Sequence, residues 1–536
     1  MRLLSILLLI LISCTSKNDA AKMQGKIIYL NLNAEPTNLN PITSTDVYAT
    51  SVQSYLLDRL MDRDPDTLEW QPGIAESFEV SEDGLTYTFK IREGVKFHDG
   101  QPLTVEDVKF SFDVHFMEEY AAVHSRSYFE KFESPTILDE RTIQFTAKEK
   151  YHQNLEVIAS MMQILPKHVY GDPKEGRKLT KKVVGEGPYK LKEWEKGKRI
   201  ILEKNPDWYG ASLAHNEGKH NFDRIIFRFV KEKNTAIEML KKGRLDYIDM
   251  SNDPEAYMKK TSGPVWESEL EKHKVDILTP KPYIYIGMNL KHPIFKDLKV
   301  RKAFAMLVNR ELIAEKFYYN MWEVMSGPTY RHSEYADPDL EPIPYDPEGA
   351  LKLLKQAGWS DSDKDGVLDK MIDGKKTPLR FQLTTGSKER MPIYAMIKED
   401  AKKKGVDIDI KLIEWNSLVQ LLNERNFETV ALGWGGGMLN WDPKQIWHSS
   451  SMADGGSNYV SYSNKEVDAL IDKAKGILDK EKRKPVLHEI YRKIAADVPY
   501  IFMLNQKSTL YANRKHIKMP KPAFKYSLGM EYWTVE

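Results

Sequence analysis

Alternating apolar and polar side chains predict β-strands at intervals along the chain. Near the start, Ile28, Leu30 and Leu32 occupy every second position, which is the period of a half-buried strand. Asp83-Gly84, a dipeptide typical of hairpin turns, precedes a second alternating segment. The strands that such patterns predict are residues 26–33, 86–92, 223–230, 406–415 and 429–433.

Apolar residues spaced three or four apart predict helices between these strands. One such helix is predicted at residues 298–317, and another runs from Val467 to Leu478 behind Asn464 as its cap. Thr104 is predicted to cap a third helix, because acidic residues follow it in the first turn. Strands mixed with helices throughout the chain indicate the α/β class.

The N-terminus has the pattern of a secretory signal. Arg2 precedes an apolar run at residues 3–12, which is shorter than the roughly 20 residues that a membrane span needs. Ser13 and Cys14 follow, and Cys14 is the only cysteine in the chain. A cysteine directly after a small residue resembles the bacterial lipobox, in which the thiol is acylated and becomes the new N-terminus.

We therefore expect a signal peptide at residues 1–13 and a lipidated tether at residues 14–25, with Cys14 as the lipid attachment site. An ordinary cleaved signal with an unmodified cysteine is the alternative. On either interpretation the mature protein lies outside the cytoplasm, and the lipid would hold it to a membrane in the periplasm or at the cell surface.

Composition excludes several classes of function. The 79 Lys and Arg residues balance 78 Asp and Glu residues, so no net charge attracts the protein to nucleic acid. A single cysteine excludes an intrachain disulfide and a Cys-based metal site. The length of 536 residues is enough for two or three domains, and we expect a monomer.

The common catalytic motifs are absent from the sequence. It contains no G-x-S-x-G, Walker A or G-x-G-x-x-G pattern, and His488-Glu489 lacks the second histidine of a zinc-protease helix because Arg492 occupies that position. The protein is therefore predicted not to be an enzyme. A secreted hydrolase and a surface adhesin stay open as alternatives.

An acidic loop at residues 361–369 has the spacing of half an EF-hand. Carboxylates stand at positions 1, 3, 5 and 9 of the loop, with Gly366 at position 6 and a backbone carbonyl available at position 7. No cofactor is required, but a structural Ca²⁺ is a candidate here, and a solvated acidic turn is the alternative. The candidate ligands are Asp361, Asp363, Asp365, Val367 and Asp369.

Longer segments from end to end resemble the extracytoplasmic solute-binding proteins of ABC importers, in the dipeptide/oligopeptide-binding family. The most specific segment is REGVKFHDG at residues 92–100, which leads into LTVEDV at 103–108. The other matching segments are AEPTNLNP at 34–41, PGIAES at 72–77, DGLTYTF at 83–89, GPY at 187–189, NPDWY at 205–209, FKDLKVRKA at 295–303 and LLKQAGW at 353–359.

This resemblance implies two α/β lobes that close like a Venus flytrap around a ligand, with an extra domain inserted in lobe one. It places crossing strands of the hinge near residues 279–285 and 505–507. The implied boundaries are lobe one at residues 26–62, 185–282 and 506–536, the extra domain at 63–184, and lobe two at 283–505.

The resemblance also implies a ligand site between the lobes. Trp434 matches a family position and offers a stacking face, although a tryptophan packed in the core beside a flexible turn is the alternative. The family's aspartate for a peptide α-amino group lies three residues later, where this chain has Gly437, so Asp442 and Glu35 are the candidate substitutes. The predicted ligand-binding residues are Asn33, Ala34, Glu35, Trp434, Gly435, Gly436, Gly437, Asn440 and Asp442.

The implied function is capture of a peptide or peptide-like solute and its delivery to the transmembrane permease of an ABC importer. The departure at Gly437 leaves the importer role intact and keeps a non-peptide solute, such as an oligosaccharide or a metal complex, as the alternative.

Overall fold

The computed structural model describes residues 25–437, 439–453 and 456–536. The predicted signal peptide, Cys14 and the tether as far as residue 24 lie outside the described residues. No helix within these described ranges combines the length and the apolar character needed to cross a membrane.

Lobe one begins with a strand whose residues alternate between partly buried and buried, as the sequence pattern predicts. This strand pairs in parallel with a strand almost 200 residues later and becomes the edge of a four-stranded sheet. The strands that follow it in the sheet are, in order, β10 (Arg224–Phe229), β9 (Arg199–Lys204) and β8 (Tyr189–Glu195). The first elements of the lobe are β1 (Ile27–Leu32), α1 (Val47–Gln53) and β2 (Met61–Arg63).

The extra domain has its own antiparallel sheet, in the order β4-β5-β7-β6, and its own apolar core. The predicted cap at Thr104 is confirmed, because its hydroxyl and its backbone N–H both donate to Asp107 at 2.8 and 2.9 Å. Its elements are β3 (Trp70–Pro72), β4 (Ala75–Val80), β5 (Thr86–Ile91), α2 (Val105–Asp113), α3 (Val123–Phe129), β6 (Thr136–Ile137), β7 (Thr142–Thr146), α4 (Asn154–Glu156), a π-helix (Val157–Met161), α5 (Lys167–Tyr170) and α6 (Pro173–Gly176).

The chain then completes most of lobe one. A second, three-stranded sheet has β21 (Thr509–Arg514) between β11 and β12, so its central strand comes from the C-terminal part of the chain. The elements are β8 (Tyr189–Glu195), β9 (Arg199–Lys204), β10 (Arg224–Phe229), α7 (Lys233–Lys241), β11 (Tyr247–Asp249), α8 (Pro254–Lys259), α9 (Pro264–Ser268) and β12 (Leu270–Val275).

Lobe two is built on a six-stranded mixed sheet in the order β14-β20-β13-β19-β17-β18, covered on both faces. Its elements are β13 (Tyr283–Met288), α10 (Leu298–Met306), α11 (Arg310–Tyr318), β14 (Trp322–Val324), α12 (Pro347–Gln356), β15 (Asp369–Ile372), β16 (Lys375–Pro378), β17 (Arg380–Thr385), α13 (Met391–Lys402), β18 (Asp407–Leu412), α14 (Trp415–Glu424), β19 (Thr429–Trp434), α15 (Lys444–Trp447), α16 (Lys465–Lys475), α17 (Lys480–Asp497) and β20 (Tyr500–Gln506).

The chain passes between the sheets of the two lobes twice. Residues 276–282 lead from β12 into β13, and residues 507–508 lead from β20 back to lobe one. We call these the first and second crossing segments. The C-terminal elements are β21 (Thr509–Arg514), β22 (Ile517–Lys518) and β23 (Thr534–Val535).

Three predicted elements end earlier than the sequence pattern indicates, two of them at a capping side chain. The helix predicted at 298–317 is two helices, because the Asn309 side chain accepts from the Leu312 N–H at 3.0 Å and starts the second. The strand predicted at 406–415 stops at Leu412, since Glu414 caps a helix that begins at Trp415. The helix predicted from Val467 to Leu478 ends at Lys475.

Candidate ligand site between the lobes

Trp434 ends β19, a central strand of the lobe-two sheet, and lies opposite Tyr283 on β13. The indole is partly buried and runs parallel to Tyr285 and Tyr459, with ring centroids 6.2 and 5.9 Å apart. Tyr285 stacks in turn on Tyr500 at 3.9 Å. Trp434 is therefore held in an aromatic cluster and keeps only part of its surface exposed, which makes it a rigid apolar wall.

The three glycines after Trp434 occupy two different environments. A Cβ built at Gly436 would lie 2.1 Å from the carbonyl oxygen of Pro280, so only glycine allows this loop to pack on the first crossing segment. Gly435 and Gly437 are exposed, and a Cβ on either would have no neighbouring atom within 4 Å. Gly437 has a φ of +77°. The loop thus borders the hinge and presents open backbone.

Asn440 and Asp442 are positioned by contacts with the extra domain. The Gln153 side chain donates to the Asn440 carbonyl at 2.9 Å, and the Tyr151 hydroxyl donates to the Asp442 carboxylate. The second carboxylate oxygen of Asp442 accepts from the Lys444 N–H at 2.9 Å. Asp442 therefore joins lobe two to the extra domain, and both of its carboxylate oxygens accept hydrogen bonds.

A second pair of contacts lies beside Tyr151. The backbone N–H of His152 donates to the Lys475 carbonyl at 3.1 Å, and the Lys475 ammonium lies 2.5 Å from the Glu149 carboxylate. We use the name interlobe latch for all the contacts of residues 149–153 with Asn440, Asp442 and Lys475. These contacts must break before the extra domain and lobe two can separate.

Electrostatics keep the latch in one protonation state near neutral pH. Burial, and then the negative charge of Asp442, raises the pKa of the Tyr151 hydroxyl far above its ordinary value, so the phenol remains a hydrogen-bond donor. Burial, assisted by the positive charge of Arg483, lowers the pKa of His152 to about 4, so this imidazole is neutral. The Lys131 ammonium lies 4.4 Å from the centre of the Tyr151 ring.

The three predicted residues of lobe one follow β1. Glu35 accepts from the Trp194 indole N–H at 2.8 Å and from the Gly197 N–H at 3.1 Å, which ties its carboxylate to the β8–β9 hairpin of the same lobe. Asn33 is exposed and accepts from the Asn31 amide at 3.0 Å, and Ala34 is partly buried.

The sequence patterns gave no indication of Tyr151, Gln153 or Lys475. Residues 149–153 are mostly polar and stand between a strand and a short helix, where no periodicity marks them. A contact of Tyr151 with a residue 291 positions away leaves no local signal.

The acidic loop gathers three of its four predicted carboxylates. Asp361, Asp363 and Asp369 have ligand oxygens within 4.8 Å of one another, a spacing that fits Ca²⁺–oxygen distances of about 2.3–2.6 Å. Asp365 lies outside this group and accepts from the Val367 N–H at 2.8 Å. The Lys376 ammonium lies 2.6 Å from Asp363 and supplies part of the positive charge that the group needs.

Comparison with known proteins identifies relatives along the whole chain. The family model for bacterial extracellular solute-binding proteins, family 5 Middle, matches residues 69–458. The oligopeptide-binding protein AppA of Bacillus subtilis is 32% identical, with 99% of this chain and 96% of the relative covered. The dipeptide-binding protein of Escherichia coli is 28% identical, with 88% of each chain covered.

Solved structures have the same fold. AppA of Bacillus subtilis in complex with a nonapeptide matches with a TM-score of 0.73 and 30% identity, over 95% of this chain and 99% of that one. NikA of Brucella suis in complex with Fe(III)-EDTA gives a TM-score of 0.80 at 19% identity, over 95% of this chain and 100% of that one. The predicted two-lobed α/β fold is confirmed.

Proposed function

The chain belongs to the bacterial extracellular solute-binding proteins, family 5, and on that premise we propose that it is a peptide receptor of an ABC importer. It captures a peptide or peptide-like solute between its two lobes and delivers it unchanged to the permease. Binding stabilises the closed form only to the extent that the solute has a higher affinity for the closed form than for the open form. No chemical step follows, so the protein is not an enzyme.

The open backbone after Trp434 is the structural feature that best supports peptide binding. Among the described residues, no backbone hydrogen bond involves residues 435–437, and Gly435 and Gly437 present no side chain. An extended peptide can pair with such a backbone through its own N–H and C=O groups, whatever its side chains are. The partly buried Trp434 then supplies an apolar wall for one of those side chains.

Calorimetric titration of a mixed peptide pool into the purified mature protein tests this proposal. Saturable heat release supports a peptide receptor. Absence of any peptide binding, together with binding of a metal chelate or an oligosaccharide, would overturn the substrate class.

We propose that the receptor is a monomer held at a membrane by lipid on Cys14. The anchor raises the effective concentration of the receptor near its permease, and multiple acyl chains hold more firmly than one. Replacing Cys14 with Ser is expected to release the protein from the membrane fraction or leave it unprocessed, because acylation needs the sulfur. Membrane fractionation with labelled palmitate measures this; wild-type protein that carries no label would contradict it.

We further propose that the acidic loop binds a structural Ca²⁺ through Asp361, Asp363 and Asp369. Removing Ca²⁺ with a chelator is then expected to lower the melting temperature without changing solute affinity. An ion present at a hundred times its dissociation constant stabilises the fold by about 2.7 kcal/mol. Differential scanning calorimetry with chelator and with millimolar calcium measures the effect.

Asp361→Asn and Asp365→Asn form a matched pair for this test. Both residues are exposed in the same loop and each accepts one backbone N–H, but only Asp361 belongs to the carboxylate group. The calcium-dependent shift is expected to shrink in Asp361→Asn and to persist in Asp365→Asn. Equal melting temperatures of the wild type in both buffers would reject the site.

A further inference from the structure

A fully buried carboxyl group lies where the extra domain is attached to lobe one. Residues 55–58 precede the passage of the chain into the extra domain, residues 185–189 follow its return, and the two segments are hydrogen-bonded to each other. Glu186 in the second segment is 0% exposed. Its Oε1 accepts from the Asp58 backbone N–H at 3.1 Å, and its Oε2 is buried with no hydrogen-bond partner among the described residues. We call the two segments, together with His98, the domain joint.

Backbone packing fixes Glu186 inside the domain joint. The Gly187 N–H donates to the Leu56 carbonyl at 3.0 Å. A Cβ built at Gly185 would lie 2.1 Å from the same carbonyl oxygen, so only glycine allows this approach. On the other side, His98 Nδ1 accepts from the Gly185 N–H at 3.2 Å, which leaves the imidazole proton on Nε2, 3.1 Å from the Gly187 carbonyl. Glu186 therefore cannot turn towards water unless these contacts break.

No cation neutralises the buried carboxyl group. Among the described residues, no Lys, Arg or His side-chain nitrogen lies within 4.0 Å of the carboxylate of Glu186 or of Asp58. The two charged groups that act on Glu186 are themselves carboxylates, those of Asp58 and Asp107. The other titratable groups around the pair are Arg59, Asp62, Arg92, His98, Tyr170 and Tyr209.

Of the two neighbouring acids, Asp58 keeps its charge more easily. Asp58 is only partly buried, and its Oδ2 accepts from the Trp208 indole N–H at 2.7 Å. Burial raises the pKa of Asp58 to about 6, although hydrogen bonds from Trp208 and Tyr209 oppose the rise. Burial, and then the negative charge of Asp58, raises the pKa of Glu186 well above its ordinary value. Near neutral pH the proton of the pair therefore stays on Glu186.

We propose that the domain joint is pH-sensitive: it holds while Glu186 is a neutral carboxylic acid and loosens when Glu186 loses its proton. A buried carboxylate without a cation is very costly, and it can reach water only if the contacts between residues 56 and 187 break. Because folding strengthens proton binding by Glu186, its contribution to stability is complete below its ordinary pKa of 4.5 and is lost as the pH rises above that value.

Melting temperatures of the mature protein between pH 5 and pH 9 test the effect on stability. Glu186→Gln keeps the shape of the protonated acid and cannot ionise, so its melting temperature is expected to rise relative to that of the wild type as the pH increases. Glu140→Gln, at an exposed position between β6 and β7, is the matched control and should melt with the wild type at every pH. A difference between Glu186→Gln and the wild type that stays constant over this range would overturn the proposal.

Infrared spectroscopy tests the protonation state itself. A protonated carboxylic acid absorbs at a higher frequency than a carboxylate, so the two forms are resolved. At pH 7 the difference spectrum between the wild type and Glu186→Gln is expected to contain the band of one protonated acid. Absence of that band from the difference spectrum would overturn the assignment of the proton to Glu186.

Hydrogen exchange of the whole mature protein tests the loosening. The backbone N–H groups of Asp58 and Gly187 both donate across the domain joint. After correction for the intrinsic effect of pH on exchange, the opening constant of these amides is expected to rise up to about tenfold per pH unit in the wild type and to stay constant in Glu186→Gln. The same pH dependence in both proteins would contradict the loosening. No peptide is needed for these three readouts, so their failure leaves the peptide proposal untouched.

Discussion

Replacing Tyr151 with Phe is expected to weaken solute binding about 10- to 100-fold. The phenol donates to the Asp442 carboxylate across the gap between the extra domain and lobe two. When the lobes are open, water can solvate both groups, so the bond contributes only to the closed state. A hydrogen bond to a charged partner contributes about 1.5–3 kcal/mol, and loss of that energy lowers the closed population and the apparent affinity by the same factor.

Tyr120→Phe is the matched control for this change. Tyr120 is also buried and its hydroxyl also donates one hydrogen bond, at 2.5 Å to the Tyr170 carbonyl, but that bond lies on one side of the gap between the lobes. The control should lower the melting temperature and leave affinity nearly unchanged. Asp442→Asn should weaken solute binding as Tyr151→Phe does. The double variant should lose less binding free energy than the sum of the losses in the two single variants. Wild-type affinity in Tyr151→Phe would show that the latch does not contribute to closure.

Acetylating the N-terminus of a bound peptide is expected to change its affinity less than about threefold. A buried α-ammonium group needs a carboxylate partner, and the two candidate acids are both engaged elsewhere. Asp442 accepts from Tyr151 and Lys444, and Glu35 accepts from the β8–β9 hairpin. Calorimetry on free and acetylated versions of one peptide pool measures the difference.

Gly437→Asp is expected to create a carboxylate partner for the α-amino group of a bound peptide. Aspartate is one of the residues that tolerate a positive φ, and the space around Gly437 is open. The variant is expected to prefer free over acetylated peptides by about 10- to 100-fold, which is the range for a charge-assisted hydrogen bond. Gly437→Asn has nearly the same shape without the charge and should show no such preference.

If acetylation severely weakens peptide binding to the wild type, a carboxylate does bind the α-amino group of the peptide. Asp442→Asn and Glu35→Gln would then identify the acid, since the variant that lacks it should bind free and acetylated peptides equally.

The sequence predicted the strands well because alternation is a property of neighbouring residues. Ile28, Leu30 and Leu32 fall on one face of β1, and all three are buried. The ends of helices and strands were harder to place, because the apolar pattern continues through caps such as Asn309 and Glu414. At those positions a local hydrogen bond to a backbone N–H outweighs the apolar period.

The contacts between lobes could not be predicted from any local pattern. In the sequence, Tyr151 is an aromatic residue in a polar segment with no distinguishing pattern, and its contact with Asp442 forms only in the folded chain. Lys281 stands between Pro280 and Pro282, a context typical of an exposed turn. Its burial depends on the packing of the two crossing segments, which are more than 200 residues apart in the chain.

If the protein is a peptide receptor, protein taken from its host holds peptide between its two lobes. The most direct measurement is mass spectrometry of the solute that denaturation releases from protein purified from its native host. We expect a mixture of peptides that share no single sequence, because open backbone rather than side-chain pockets would hold them. Release of a metal chelate or an oligosaccharide, with no peptide, would contradict it.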